Sequence, residues 1–187
     1  MMTGLPHHPF WDFSLRVYGQ PGVAPACLEL QDRHGLDVNL LLLCCWLGHC
    51  QKAPPTRGDV VRLAQTVTAW HNDVVRPLRH ARRRLKAPGP TIAPPLAEAL
   101  REQVKRIELD AEHVEQLTLA AALPQAETLK TPLPGHAVAA LGFYLDSVGV
   151  SPDETDRQNL TALLRAAFPD TPAERIGALA GGLYGPA

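Results

Sequence analysis

Several features that mark well-known protein classes are missing from this sequence of 187 residues. The longest unbroken apolar run, Leu40 to Leu47, is far shorter than the roughly 20 residues that a membrane-spanning helix needs. The formal net charge of -1 excludes a globally basic nucleic-acid-binding protein, although a local basic patch can still exist. Strictly alternating β-branched runs are missing too, which argues against strands. The sequence therefore predicts an all-α fold.

The motifs of common enzyme classes are missing as well. The sequence contains no G-x-S-x-G, no P-loop, no G-x-G-x-x-G and no Asp-rich element for magnesium diphosphate. A carboxylate-x-x-His step occurs once, at Asp110 and His113, whereas four-helix di-iron proteins need it twice with two further carboxylates. We predict no catalytic residue and no cofactor, and the balance favours a protein that is not an enzyme.

The cysteines form no recognisable metal or disulfide pattern. The chain has 4 cysteines, no C-x-x-C spacing and no secretory signal before the first helix, so we expect free thiols in a reducing cytoplasm. Cys45 and His49 share a helical face, but zinc needs about four ligands and no second pair stands at ligand spacing. We predict no metal site, and we interpret Cys44 and Cys45 as core packing groups.

Prolines and glycines divide the chain into helical segments. The 18 prolines and 14 glycines cluster between stretches whose apolar residues recur with helical spacing. In the fourth segment this spacing places His71, Val74 and Leu78 on the inward face, and Pro77 predicts a kink. The predicted helices are 9–18, 23–34, 37–48, 57–86, 95–123, 136–148, 153–168 and 172–184.

The third helix, at about 37–48, is predicted to be the centre of the fold. Its stretch from Leu40 to Leu47 is apolar on all sides, so other helices must surround it. Asp37 is placed to cap its N-terminus, with Leu36 packing against Leu41. We expect the first, second, fourth and long helices to wrap it. The predicted organisation is a core bundle at 1–123, a Pro-rich linker at 124–135 and a C-terminal helical extension at 136–187 that packs on or beside the core.

A set of short motifs connects the first fifty residues to a known family. These motifs are Phe10-Trp11, Gly22-Val23, Cys27-Leu28, Gly35, Asp37-Val38-Asn39 and Trp46-Leu47-Gly48. In them the chain resembles an uncharacterised bacterial family of small all-helical proteins of unknown function, and the likeness extends to about Leu119. The resemblance implies a fold of its own type and transfers no catalytic residue.

A basic cluster is the strongest local charge feature of the sequence. If the fourth segment and the long helix form an antiparallel hairpin, Arg79 should lie near Glu102 and Arg83 near Glu98. Two carboxylates cannot balance the cluster, so part of it should remain free for an acidic or phosphate-rich partner. The alternative is a solvated face with weak ion pairs. The cluster consists of Arg76, Arg79, Arg82, Arg83, Arg84 and Lys86.

The same hairpin register predicts an acidic region at the other end. Glu108, Glu112 and Glu115 would lie opposite 65–73, where the sequence has no lysine or arginine. A bundle with separate basic and acidic ends could pair with a charged partner or with a second copy of itself.

A polar and aromatic patch beside the predicted kink is the second candidate site. His71 lies on the apolar face of its helix, where a buried histidine bonded to a carbonyl is the commoner outcome. A functional pocket is the alternative, because aromatic and titratable residues concentrate here. Its residues would be Trp46, Trp70, His71 and Asp73.

Three functions remain open on the sequence alone. The preferred one is a non-enzymatic cytoplasmic interaction or regulatory module that docks a protein partner through the arginine-rich helix end. The first alternative is RNA or ribosome binding through the same residues. The second is a small-ligand-binding protein or enzyme with a pocket near His71 and Asp73.

Overall fold

The computed structural model describes residues 4–123 and 129–183. Within these ranges the chain forms nine α-helices, one π-helical turn and no strand, which confirms the predicted all-α fold. No helix in the described ranges is both long enough and apolar enough to cross a membrane. The helices are α1 (Pro9–Tyr18), α2 (Val23–His34), α3 (Val38–Cys50), α4 (Arg57–Trp70), α5 (Arg76–Arg84), α6 (Pro94–Ala121), α7 (Pro134–Ser147), α8 (Glu154–Ala167) and α9 (Ala173–Gly181).

Local side-chain chemistry explains where the first helices begin and end. Asp37 caps α3 by accepting a hydrogen bond from the backbone N–H of Asn39, as predicted. Thr56 and Asp59 form the predicted capping box at the start of α4. Gly35 ends α2 with a φ of 68°, a left-handed conformation that glycine adopts without strain.

The predicted fourth helix is interrupted by a π-helical turn, His71–Val75, which lies directly between α4 and α5. Pro77 has no N–H to donate and its ring presses on the preceding turn, so the α-helical bonding pattern cannot continue through this point. The backbone N–H of Arg76 bonds to the carbonyl of His71, five residues earlier.

The π-turn changes which side chains face inward. The structure buries Val75 and Arg79, whereas Val74 and Leu78 are only partly buried. The predicted inward positions of Val74 and Leu78 are therefore wrong by one residue, because the π-turn adds one residue to the helical repeat.

Helix α3 is buried along nearly its whole length. All residues from Leu40 to Leu47 are at most 6% exposed. Its most extensive packing is against α7, with further contacts to α1, α2, α6 and α8. Gly48 lies at this junction, and a Cβ atom there would come within 2.7 Å of the Phe168 ring and 2.8 Å of the Leu133 carbonyl oxygen. Glycine therefore allows the C-terminal segment to approach α3 closely.

The C-terminal helices share one hydrophobic cluster with the N-terminal ones. Leu141 of α7, Leu163 of α8 and Ile176 of α9 belong to the same cluster as α3. Part of the predicted linker, 124–128, lies outside the described residues, as does Tyr184, the predicted end of the last helix. The division into a core and an extension stays a prediction.

Candidate functional site

Three titratable side chains from distant parts of the chain meet inside the bundle. Asp37 precedes α3, His71 opens the π-turn and Glu115 lies on α6; they are 5%, 8% and 0% exposed. His71 Nδ1 is 3.0 Å from Asp37 Oδ2 and 3.4 Å from Glu115 Oε1. Despite these short distances, none of the three atoms has a hydrogen-bond partner among the described residues. We call Asp37, His71 and Glu115 the acid–histidine trio.

The second oxygen of each carboxylate in the trio is held by Asn39. The Asn39 backbone N–H donates to Asp37 Oδ1 at 2.8 Å, and its side-chain amide donates to Glu115 Oε2 at 3.0 Å. Gln116 donates to Asn39 Oδ1 at 2.8 Å, and Tyr144 accepts from the backbone N–H of Asp37 at 2.9 Å. These bonds fix both carboxylates so that one oxygen of each faces His71.

Burial and mutual charge set the protonation of the trio. Burial pulls the pKa of His71 down, but contact with Asp37 and Glu115 outweighs burial and raises that pKa to about 9. Burial raises the pKa of Glu115 to about 8. Burial would also raise the pKa of Asp37, but contact with His71 and Glu115 lowers it below its usual range. Near neutral pH the trio therefore contains an ionised Asp37, a protonated His71 and a protonated Glu115, with no net charge.

His71 also borders a cavity of about 270 Å³ between α2 and α5, which we call the His71 cavity. Its positive side chains outnumber its single carboxylate, Asp32, so its electrostatic character is basic. Asp32, Arg76, His80 and Arg83 are exposed and form its mouth. The complete lining is Gln31, Asp32, Gly35, His71, Arg76, Arg79, His80 and Arg83.

A larger groove of about 470 Å³ lies on the other side of Arg79, bordered by α1, α2, α3, α5 and α6. Asn39, which bonds both carboxylates of the trio, and Gln116, which bonds Asn39, also line this groove. Exposed apolar side chains, Leu15 and Leu109, form part of its wall. The trio therefore lies between two surface depressions.

The predicted pairing of α5 with α6 is wrong in register. Arg79 is 9% exposed and bonds Glu108 at 3.2 Å and Glu112 at 2.6 Å, not Glu102. Arg82 also bonds Glu108. The reason is the asymmetric loop 85–93, which joins α5 to α6. Helix α6 starts at Pro94, and its first turns extend past the end of α5. Each arginine therefore lies beside a residue of α6 that is later in the sequence than predicted.

Arg83 and Glu98 do not meet either. Arg83 pairs with Asp32 of α2 at 2.9 Å, and Glu98 pairs with Arg101 within α6. Glu108 and Glu112, predicted to face no basic residue, accept from Arg79 and Arg82. The prediction of separate basic and acidic ends is therefore wrong for these residues. In the described residues only Glu115 of that set lacks an arginine or lysine partner.

The predicted basic cluster divides into buried and exposed members. Arg79 is buried and Arg82 partly buried, and glutamates balance both. The members that reach solvent are Arg76, Arg83, Arg84 and Lys86.

The structure separates the residues of the predicted pocket. Trp46 packs in the core, with its ring 5.3 Å from that of Phe13, while Trp70 is 38% exposed and donates to the Ala111 carbonyl. Asp73 is exposed. Of the four predicted residues, His71 alone borders the His71 cavity, and none borders the larger groove.

The four thiols are buried, and His49 and His113 have contacts of their own. Burial raises the pKa of Cys27 and of Cys50 to about 12, and all four cysteines are buried and free. His49 bonds the Ala167 carbonyl at 2.9 Å, and His113 stacks on Trp11 with ring centroids 4.1 Å apart. These contacts account for the Cys45–His49 face and the carboxylate-x-x-His step as packing features.

Sequence reasoning found His71 but missed its partners. The sequence indicates Asp37 only as a helix cap, and Glu115 only as part of an acidic region without a basic partner. A usable signal was Asn39, an amide inside an otherwise apolar helix, because a buried amide needs polar partners.

The comparisons with known proteins identify a family but add no function. No curated protein and no solved structure matches the chain. One family model, described as a protein of unknown function (DUF2390), matches residues 9–119. The matched range includes the whole trio, Asn39 and the π-turn. Since it covers more than half of the sequence, the chain belongs to this family of unknown function.

Proposed function

We propose that this protein binds a small anionic ligand in the His71 cavity. The lining of that cavity carries the proposal, because it brings together residues of both predicted sites. His71 comes from the predicted pocket, and Arg76, Arg79 and Arg83 come from the basic cluster. Guanidinium groups present paired N–H donors that match carboxylate and phosphate oxygens. At about 270 Å³ the cavity suits a small anion rather than an extended molecule.

The exposed arginines at the cavity mouth are available to a ligand. Arg76 bonds the neutral Asn72 side chain at 3.1 Å, so its charge is not balanced there. Arg83 pairs with Asp32, but both side chains are about half exposed, and such pairs are weak and easily exchanged. Arg79 is fixed by two glutamates and would act as a rigid wall.

Thermal unfolding of the full chain with a phosphomonoester, inorganic phosphate or acetate tests this proposal. Bound anion should raise the unfolding temperature in a concentration-dependent way, since it binds only the folded state. Arg76→Gln and Arg83→Gln should each weaken the affinity about tenfold, equivalent to one lost charged contact. Arg84→Gln is the matched control, because Arg84 is exposed on the same helix but does not line the cavity. Equal loss in all three variants, or no stabilisation of the wild type, would refute the proposal.

A second candidate is docking of an acidic protein partner on the arginine-rich end. The observation in its favour is the exposure of Arg84 and Lys86, which lie outside the His71 cavity. Charge reversal at Arg84 and Lys86 should abolish partner capture while leaving anion binding in the cavity intact. An RNA partner would instead show affinity for generic RNA that falls steeply with salt. The free, buried thiols support the proposed cytoplasmic location for each of these functions.

A further inference from the structure

We propose that the acid–histidine trio is a binding site for a divalent transition-metal ion. One atom of each side chain would be a ligand: Asp37 Oδ2, His71 Nδ1 and Glu115 Oε1. The proposal stands on the geometry of these three residues and does not depend on the proposed anion, with which the site shares the His71 cavity.

The distances within the trio suit three ligands of one ion. Metal–ligand bonds of about 2.1 Å with angles between octahedral and tetrahedral values place neighbouring ligand atoms about 3.0–3.4 Å apart. His71 Nδ1 lies 3.0 Å from Asp37 Oδ2 and 3.4 Å from Glu115 Oε1. The three ligand atoms all lie within 4.8 Å of one another. A small adjustment of the two carboxylates would therefore enclose an ion.

The hydrogen bonds around the trio support the same interpretation. Each carboxylate uses one oxygen to accept from Asn39. The other oxygen is buried, has no hydrogen bond in the described part of the chain and faces His71 Nδ1. Buried polar atoms without partners are rare and costly, so three of them converging on one point indicates a missing interaction. Outer hydrogen bonds that orient ligand carboxylates are a regular feature of metal sites.

The ligand set defines the class of ion. An imidazole nitrogen favours zinc, iron and other transition ions over Mg²⁺ and Ca²⁺, which prefer oxygen ligands. Three protein ligands leave at least one coordination position for water or for another molecule, as in catalytic rather than structural zinc sites. His71 borders the His71 cavity, whose exposed mouth offers the ion a route from solvent.

A second cluster, in which a histidine contacts a buried carboxylate, provides a matched control. Asp156 is 1% exposed and contacts His34 at 2.9 Å, but Arg33 also binds it at 2.6 Å and supplies the positive charge. Asp156→Asn makes the same chemical change as Asp37→Asn, next to a histidine, at a cluster that needs no metal.

The test uses chelator-treated, full-length protein titrated calorimetrically with Zn²⁺, Mn²⁺ and Mg²⁺ separately, with bound metal counted by elemental analysis. We expect a single Zn²⁺ or Mn²⁺ per chain in the wild type and in Asp156→Asn, and much weaker Mg²⁺ binding. Glu115→Gln and Asp37→Asn should each weaken Zn²⁺ and Mn²⁺ binding about 100-fold or more, above the 10–100-fold typical of outer-shell changes. Circular dichroism of each metal-free variant verifies that it remains folded.

Several results would overturn the proposal. These are no uptake by the wild type, unchanged uptake in folded Glu115→Gln and Asp37→Asn, or Mg²⁺ binding as tight as that of Mn²⁺. The visible spectrum with Co²⁺ examines the buried thiols independently: intense sulfur-to-cobalt absorption would assign the ion to a cysteine and refute the trio. The metal titration contains no anionic ligand, so the two proposals can fail separately. Metal binding without anion binding would refute only the proposed function. Anion binding without metal binding would refute only the metal site.

Discussion

Among the described residues, two clusters join a histidine to a buried carboxylate, and they differ in what balances their charge. Between α2 and α8, Asp156 contacts His34, and Arg33 bonds both Asp156 and Asp153. In the acid–histidine trio, two buried carboxylates face one histidine, and no lysine or arginine of the described residues pairs with either. The first cluster is complete as protein alone.

The difference separates a structural cluster from a candidate binding site. A buried charge is tolerated when an opposite charge and hydrogen bonds are supplied with it. Arg33 does this for Asp156, and Arg79 does it for Glu108 and Glu112. In the trio, the protonated His71 is the only opposite charge that the described residues supply, and three polar atoms stay without hydrogen bonds. Buried polar groups without hydrogen bonds commonly lie where a ligand supplies the missing interaction.

Removing Arg79 should have the largest effect, since it is the most deeply buried of the balancing cations. We expect Arg79→Ala to lower the free energy of unfolding by about 4 kcal/mol, because Glu112 would lose its arginine partner and Glu108 would retain only Arg82. Urea denaturation measures the loss. Arg84→Ala, on the exposed face of α5, should change stability by less than about 0.5 kcal/mol. Equal effects of the two substitutions would contradict the buried role of Arg79.

The same acid-to-amide change in the first cluster should have an intermediate effect. Asp156→Asn is expected to cost about 2 kcal/mol, because the charge-assisted bonds to Arg33 and His34 weaken together. Urea unfolding at neutral pH gives the value. A loss below about 0.5 kcal/mol would show that the arginine does not stabilise this cluster.

The corresponding change in the trio should not destabilise the metal-free protein. In Glu115→Gln the amide oxygen can still accept from Asn39. The new NH₂ group can donate to Asp37 Oδ2, which has no hydrogen bond in the wild type. We expect stability to stay within about 1 kcal/mol of the wild type or to rise, as for other buried ionic groups replaced by neutral ones. A loss comparable to that of Asp156→Asn would remove the distinction between the two clusters.

Acid should lower the contribution of the Arg33–Asp153 pair to the free energy of unfolding. We expect this to be the smallest of the four effects. The hydrogen bond from Arg33 holds the pKa of Asp153 well below its ordinary value of 3.8. A carboxylate whose pKa is lowered in the folded state stabilises that state fully at pH values above its ordinary pKa of 3.8. This stabilisation is lost as the pH falls toward the folded-state pKa. The stability gap between wild type and Asp153→Asn should therefore narrow below 3.8 in pH-dependent urea unfolding. A gap independent of pH would argue against this contribution.

Local patterns in the sequence predicted most helix positions but only part of the site. Proline, glycine and capping residues act within a few positions, so the limits of α1 and α2 and the capping of α3 and α4 could be derived from neighbouring residues alone. The trio depends on three segments meeting in space. From the sequence, Asp37 is therefore only a helix cap and Glu115 only part of an acidic region. The packing of α6 against α3 brings the two together.

The misplaced arginines have a different physical origin. The helical spacing counted from Val67 allows for a kink at Pro77 but not for an extra residue in the helical repeat. It therefore puts Leu78 inward and leaves Arg79 at the surface. The hairpin register in turn assumed a symmetric loop between α5 and α6. Neither assumption can be verified from residue types, because a π-turn and a loop's asymmetry are decided by the packing of the whole bundle.

The π-turn also fixes how many residues this part of the chain must contain. An α-helix advances about 100° per residue, so inserting one further residue between Trp70 and Arg76, with the π-turn kept, would rotate α5 by that angle relative to α4. Leu78 would then occupy the place of Arg79 against α6, and the two glutamates there would lose their partner. Insertions and deletions are usually tolerated in exposed loops. In helices they are tolerated less well the more deeply the helix is buried. In this segment the number of residues, as much as their identity, brings both His71 and Arg79 to the carboxylates of α6.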